Sequence, residues 1–322
     1  MPSLRRKSAA QTAGESGRLK PEDLVTPQPQ KKEKGKTGKA GKPSKGSKAA
    51  SQKAPSGSKP AKQPDKPKNE GPARVIAFAN QKGGVAKTTT ALNLAVAFKE
   101  SGHRVLAVDM DPQGNLTMSQ GVDPDKVEKS MFDVLVHRTP ISEVIVEREI
   151  DVAVASIDLA GAEIAMSTQI GRERALQKAL DEVLDDYDFV CIDTPPSLGL
   201  LTVNALTAAN KVIVPVQCEY LSMRGLVQLQ NTLQMIRENL NPGVEIEGIL
   251  PTMLDSRTVH AKEAVEILEE NFGELVFKSR IRKAIKFAEA PVRGTSVLKY
   301  DPKGTAASAY RDLAKEVLTH GS

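Results

Sequence analysis

Between Arg74 and Leu318, short and almost unbroken apolar runs alternate with segments of helical periodicity, and this alternation most narrows the folds open to the chain. The runs are RVIAFAN (Arg74–Asn80), RVLAVDMD (Arg104–Asp111), DVAVAS (Asp151–Ser156), FVCIDTPP (Phe189–Pro196), KVIVPVQ (Lys211–Gln217), EIEGILPTM (Glu245–Met253) and LVFKSRI (Leu275–Ile281). Helical patterns lie between them: TTTALNLAVAFKESG, with Gly102 as its stop, then Arg172–Leu184, Ser222–Asn239, His260–Asn271 and Ala306–Leu318. A strand that is apolar at consecutive positions is buried on both faces, and helices between such strands are the crossovers of a parallel sheet. The expectation is an α/β fold: a mostly parallel twisted sheet with helices on both faces. Ligands of such sheets bind outside the carboxyl ends of the strands.

The first of those ends carries NQKGGVAKTTT, Asn80 to Thr90. It departs from the phosphate-loop pattern G-x-x-x-x-G-K-[ST]: Gln81 and Ala86 replace the two glycines, while Lys87 and Thr88 fit. A second lysine, Lys82, stands inside the loop. Strand, glycine-rich turn and helix follow in the order that phosphate binding needs: N–H donors converge on the oxygens, a lysine reaches the terminal phosphates, a hydroxyl serves Mg²⁺ and the helix start adds positive potential. Gly83 and Gly84 can supply the tight curvature. Ala86 is tolerable there if its φ is negative.

Composition divides the chain. Residues 1–72 hold 18 Lys and Arg against 6 Asp and Glu, whereas the whole chain is only +5, so a basic tail joins a mildly acidic body of residues 73–322. The tail is rich in Lys, Pro, Gly, Ser and Ala and has almost no large apolar residues, the signature of a disordered segment. Two readings stay open for it: an arm attracted to nucleic-acid phosphates, or a solvated spacer. Its lack of aromatic residues argues against base stacking. Cys191 and Cys218 lie in apolar runs without metal-ligand spacing and read as buried free thiols. No apolar run reaches the ~20 residues of a membrane span, and the expectation is a cytoplasmic protein.

Taken together, KGGVAKTTTALNLA, VLAVDMDPQGNLT, CIDTPPSLGLLTVNAL, TMLDSRT and the closing AEAPVRGTSVLKYDPKGTAASAYRDLAKEVL resemble the ParA/Soj branch of the deviant-Walker P-loop NTPases, the partitioning relatives of MinD. The motifs stand in family order over nearly all of residues 73–320. The resemblance implies a slow, partner-stimulated ATPase using ATP and Mg²⁺. It implies that Lys82 crosses an ATP-dependent homodimer to the other subunit's nucleotide, in the manner of an arginine finger. By the same resemblance Gly83, Gly84, Val85, Ala86 and Lys87 cradle the phosphates, Thr88 binds Mg²⁺ and Thr89 meets the α-phosphate. Asp193 is the Walker B aspartate and holds Mg²⁺ through water; Asp109 supports the Mg²⁺ shell; Asp111 orients the attacking water. Thr252, Met253 and Asp255 stand near the adenine. Ala86 departs from the glycine usual in the family.

The C-terminal third holds Arg257, Lys262, Lys278, Arg280, Arg282, Lys283, Lys286 and Arg293. Singly each reads as a solvated charge. As a cluster, and by the resemblance, Arg257, Lys278, Arg280, Arg282, Lys283 and Lys286 bind double-stranded DNA without sequence preference, with a nucleoid location, no membrane, and a ParB-like centromere-binding protein as partner. Arg282, Lys283 and Ala284 stand where family members often have Pro-Arg-Asn. A MinD-like membrane ATPase needs an amphipathic basic C-terminal helix, which AYRDLAKEVLTHGS does not provide. An iron-protein reductase needs cluster cysteines at a dimer interface. A nucleoid-borne ATPase with some other cargo is not separated from chromosome or plasmid partitioning.

Overall fold

The computed structural model describes residues 72–218, 223–255 and 259–320, and all of them fall in the compact unit Lys59–Ser322. The basic tail therefore lies outside the described residues. Seven strands form one sheet: β1 (Arg74–Phe78), β2 (Val105–Asp109), β3 (Ile145–Glu147), β4 (Asp151–Ala153), β5 (Phe189–Asp193), β6 (Lys211–Gln217) and β7 (Glu245–Thr252). Their order is β3-β4-β2-β5-β1-β6-β7, and every pairing is parallel except β3 with β4.

The helices are α1 (Lys87–Glu100), α2 (Asn115–Ser119), α3 (Ala162–Ala165), α4 (Ala175–Leu180), α5 (Leu200–Ala208), α6 (Met223–Asn239), α7 (Val259–Phe272), α8 (Lys286–Val292), α9 (Val297–Tyr300) and α10 (Thr305–His320). They cover both faces, as the continuous apolar strands require. Along β1, Val75 and Ala77 enter the core shared with α5, α6 and α7, while Ile76 and Phe78 enter the core shared with α1, α9 and α10. On β5, Val190 and Ile192 divide from Phe189 and Cys191 in the same way, and Phe189 stacks on Phe98 of α1 with ring centroids 4.2 Å apart. Alternation across a doubly covered sheet leaves no polar strand face, so a period-two pattern is absent from the sequence. Both cysteines are buried, and neither is in a disulfide.

Three expectations need correction. Leu275–Ile281 is not a regular strand: it meets β7 at one isolated bridge, Ile249 with Val276, and at single hydrogen bonds from Phe277 N to the Ile249 carbonyl and from Ile281 N to the Pro251 carbonyl, both 3.0 Å. Its middle N–H groups are taken elsewhere, since Lys278 N and Ser279 N donate to the Glu316 carboxylate at 2.6 and 2.9 Å. The helix expected over Arg172–Leu184 is broken into a 3₁₀ turn, the short α4, and a second 3₁₀ turn at Leu184–Asp186. The third is the edge hairpin: β3 was not anticipated, because Ile145–Glu147 and Asp151–Ala153 are each only three residues long and carry charge at their ends.

The register places the site. Asp109 pairs with Asp193 across β2 and β5, and Phe78 pairs with Asp193 across β1 and β5. The loops leaving these three adjacent strands therefore open on one edge of the sheet.

Candidate nucleotide site

The loop after β1 is braced from several sides. Asn80 donates from Nδ2 to the Pro215 carbonyl (2.7 Å) and accepts from Lys82 N at Oδ1 (3.0 Å). Thr194 donates to the Phe78 carbonyl at 2.7 Å. Thr252, at the end of β7, donates to the Val85 carbonyl at 3.0 Å and is fully buried. Its side chain thus supports the loop, and the expected adenine contact is not available to that hydroxyl. Gly83 and Gly84 are exposed at the loop's crest, Gly84 with φ +71°. A side chain at Gly83 would come only to 3.8 Å of Pro196, so the crest is open.

Ala86 is the cap residue of α1, with φ +67° and ψ +34°. The condition under which an alanine is tolerable there, a negative φ, is not met. This is the left-handed region, which disfavours any residue carrying a Cβ by roughly 1–2 kcal/mol. The Ala86 carbonyl accepts both the Thr90 N–H (2.9 Å) and the Thr90 hydroxyl (2.6 Å), which hold it in place. Strain of this kind persists where surrounding bonds over-determine the backbone.

Lys87 follows, buried, with Nζ 3.4 Å from the Lys82 carbonyl. Burial lowers the pKa of its ammonium, while Asp193 and Asp111 pull the other way. Both carboxylate oxygens of Asp193 are buried without a hydrogen-bond partner, although the Thr88 hydroxyl lies near enough to favour its charge. Burial, then the neighbouring Asp109, raise the Asp193 pKa well above the ordinary carboxylate value. Asp109 is also fully buried, but it is satisfied: Oδ2 accepts from Thr117 N (2.9 Å) and Thr117 Oγ1 (2.7 Å), and Oδ1 from Asp111 N (3.2 Å). Burial still pushes its carboxyl up to about 6.

Asp111 lies beyond the end of β2, so strand alternation does not aim it. A turn does so instead: Asp111 Oδ1 accepts from Gln113 N at 3.0 Å, and its carbonyl from Gly114 N at 2.9 Å. The turn brings Asp111 within electrostatic reach of Lys87. Thr88 and Thr89, the second and third residues of α1, are half-buried, as is Lys82. Met253 is half-buried at φ +54°, and Asp255 is half-buried at the edge of a gap in the described residues.

A divalent cation fits this donor set. Among the described residues no three acidic, histidine or cysteine side chains converge as a metal cage. The orphaned Asp193 beside a hydroxyl suits Mg²⁺, which keeps several waters and leans on substrate phosphates. Thr117, Asn80 and Thr194 were missed by sequence reading. Their roles are bonds to main chain or to Asp109, and only the position of Asn80 straight after an apolar run hinted at one of them.

The basic residues divide. Lys278, Arg280, Arg282 and Lys283 line one cavity of about 580 Å³, with Phe287, Thr305 and Asp312. Arg280 pairs with Glu269 at 2.5 Å. Lys286 is absent from that lining, pairs with Glu289 at 2.8 Å and sits over the Tyr300 ring. Lys262 and Arg293 are exposed, and Arg257 lies outside the described residues. Another cavity, of about 390 Å³, opens by Pro72, Arg74 and Asn210 at the amino end of β1, away from the phosphate loop.

Residues 73–246 match the family described as AAA domain. The chain is 45% identical over 251 residues to the sporulation initiation inhibitor protein Soj of Bacillus subtilis, covering 77% of this chain and 99% of that protein. It is 42% identical over 253 residues to the chromosome partitioning protein ParA of Caulobacter vibrioides, covering 77% and 95%. A crystal structure of cobyrinic acid a,c-diamide synthase from Mycobacterium smegmatis with bound ADP and magnesium aligns with a TM-score of 0.69 at 43% identity, covering 77% of this chain and 95% of that one.

Proposed function

The chain belongs to the ParA/MinD family of P-loop ATPases, and from that membership we propose that it is a partitioning ATPase working as a dimerisation switch. Two copies close on ATP, with Lys82 of each reaching the nucleotide of the other. The dimer binds DNA without sequence preference, and hydrolysis, stimulated by a ParB-like partner, releases it. The observation that carries the reading is the buried Lys87 at the start of α1, beside an Asp193 whose carboxylate has no hydrogen-bond partner. Such a pair is costly in a resting protein and is relieved by a phosphate chain arriving with its cation.

In this reading the loop N–H groups and the α1 start hold the phosphates, and Lys87 neutralises their charge as it develops. Thr88 and Asp193 would hold Mg²⁺, which would supply neutralising charge to the phosphates. Asp111, fixed by the Gln113 turn, orients the attacking water without needing to be a strong base. Asp109 keeps the turn between β2 and α2 in register through Thr117.

DNA contact is proposed for Arg257, Lys278, Arg282 and Lys283, with Arg280 and Lys286 contributing once their carboxylate partners yield. Dimerisation doubles these contacts and turns a weak patch into a salt-dependent clamp. Location on the nucleoid follows from that contact. The name of the Mycobacterium smegmatis structure would suggest amide synthesis. Glutamine-cleaving sites use an accessible cysteine thiolate, whereas both cysteines here are buried and burial pushes the Cys191 thiol up.

Sedimentation on nonspecific duplex DNA, with ADP, ATP and a slowly hydrolysed ATP analogue across salt concentrations, tests the proposal. Binding confined to the ATP and analogue states, and weakening steeply with salt, supports it. Binding indifferent to nucleotide rejects it.

A further inference from the structure

The phosphate loop and the basic cavity are separate places, and one side chain borders both. Phe287 of α8 lines the 580 Å³ cavity with Lys278, Arg280, Arg282 and Lys283. It also lines a small cavity of about 30 Å³ whose other wall is Thr88, Thr89, Leu92 and Asn93 of α1. Behind it stands Tyr310 of α10, fully buried, with the two rings edge to face at 5.8 Å and 86°. The Tyr310 hydroxyl lies 3.3 Å from Thr90 Oγ1. Thr90 has one hydroxyl proton and gives it to the Ala86 carbonyl, so the Tyr310 hydroxyl is the donor to Thr90. A continuous chain of contacts therefore runs from the strained cap of the phosphate loop to the wall of the basic cavity.

We propose that Phe287, backed by Tyr310, is the positioning residue through which occupancy of the phosphate loop at Ala86 sets the shape of the basic cavity and hence its affinity for DNA phosphates. The proposal rests on the reading above of what each site binds. Three features favour this route. The Ala86 carbonyl is gripped twice by Thr90, so a shift of the loop's last peptide is carried to the Thr90 hydroxyl and on to the tyrosine ring. Close-packed interiors pass small displacements on instead of absorbing them. The 30 Å³ gap, about one water in size, lies on the α1 side of the phenylalanine, where a ring can move. Another link from α1 is the Asn93 amide, which donates to the Thr89 carbonyl (2.7 Å) and accepts from Val297 N (2.8 Å). That strut fixes the main chain of α9 to the Asn93 side chain, and neither Asn93 nor Val297 lines the basic cavity.

The test uses the full chain and two variants, Tyr310→Phe and Phe287→Leu. The first keeps the ring and removes only the donated hydrogen bond, leaving Thr90 with a spare acceptor site and no orphaned donor. Dissociation constants for a nonspecific duplex are measured with ADP and with a slowly hydrolysed ATP analogue at one salt concentration. Their ratio is the coupling, and by linkage DNA must alter analogue affinity by the same factor. Expected is a wild-type ratio on the order of 5–150-fold, as allosteric couplings usually are, reduced at least about threefold in each variant. Analogue affinity without DNA should stay within about twofold in Tyr310→Phe, because the lost hydrogen bond is to Thr90, which is fully buried. A merely structural role would lower melting temperature and leave the ratio intact. Variants that keep the wild-type ratio overturn the proposal while leaving the function above standing. A wild type whose ratio is one overturns both. Should Phe287→Leu fail to fold, Tyr310→Phe alone decides.

Discussion

The two ends of the sheet bury charge in opposite ways. At the amino end, Arg74 of β1 lies 2.6 Å from Glu247 of β7, a contact poorly angled for a hydrogen bond but close as an ion pair. Lys211 of β6 approaches the other Glu247 oxygen at 3.8 Å, and a second Arg74 nitrogen donates to the Val317 carbonyl. Nearby, burial works against the Asp188 charge, yet the hydrogen bonds and charge of Arg104 hold its carboxyl below the ordinary value. At the carboxyl end, Asp193 has no hydrogen-bond partner, Asp109 is pushed up, and Lys87 is pulled down. One end completes its own electrostatics and holds strands together. The other gathers buried charges that are not hydrogen-bonded to one another, an arrangement suited to a ligand carrying negative phosphate and positive metal.

The largest effect expected at the carboxyl end follows Lys87→Ala. Removing one partner of a desolvated charge contact costs 2–5 kcal/mol or more, so ATP affinity should fall on the order of 1000-fold in calorimetric titration. Retained affinity would detach Lys87 from the nucleotide. The matching change at the amino end is Glu247→Gln, which strands Arg74 and should cost about 3 kcal/mol of unfolding free energy in urea, with ATP affinity unchanged. If Glu247→Gln weakened ATP binding as well, the division between the two ends would fail.

A titration sharpens the contrast. The folded Asp109 carboxyl titrates at about 6 against an ordinary 3.8, because burial outweighs the Thr117 hydrogen bonds. Between those values the folded state binds a proton that the unfolded state lacks. Its contribution to ligand-free stability is therefore present at low pH and lost as pH rises through 6. In urea melts from pH 4 to 7, wild type minus Asp109→Asn should show a difference that declines with rising pH. A difference that is flat or climbs would contradict the burial argument. The smallest effect is expected from Ala86→Gly, which relieves a left-handed alanine and should add about 1 kcal/mol to stability. A loss of stability would mean that the Ala86 methyl makes contacts worth more than the strain.

Much of the fold was legible because a parallel sheet covered on both faces writes itself as apolar runs, and the runs over β1, β2, β5, β6 and β7 are long enough to stand out. The short β3 and β4 are not, and only β4 was found. Leu275–Ile281 has a strand's composition, but its Lys278 and Ser279 N–H groups are claimed by Glu316, a partner 37 or 38 residues away that no local pattern reveals. In the site, the structure brings together Lys87, Thr88 and Asp193, which the sequence had placed at the carboxyl ends of strands. The φ of Ala86 was not legible, since a methyl in the sequence argues for the opposite conformation. The inward turn of the Thr252 hydroxyl to the Val85 carbonyl was not legible either, since it is a choice made by tertiary packing. The Lys286–Glu289 pair stands at i,i+3 on one helix and was open to sequence reading, whereas the Arg280–Glu269 pair joins separate elements and was not.

The central claim is that Asp193 is held unpartnered for the metal that accompanies ATP. ATP affinity measured with Mg²⁺ and with chelator, in wild type and in Asp193→Asn, tests it most directly. The account predicts a large gain in affinity from Mg²⁺ in wild type and little in the variant. An equal gain in both would contradict it.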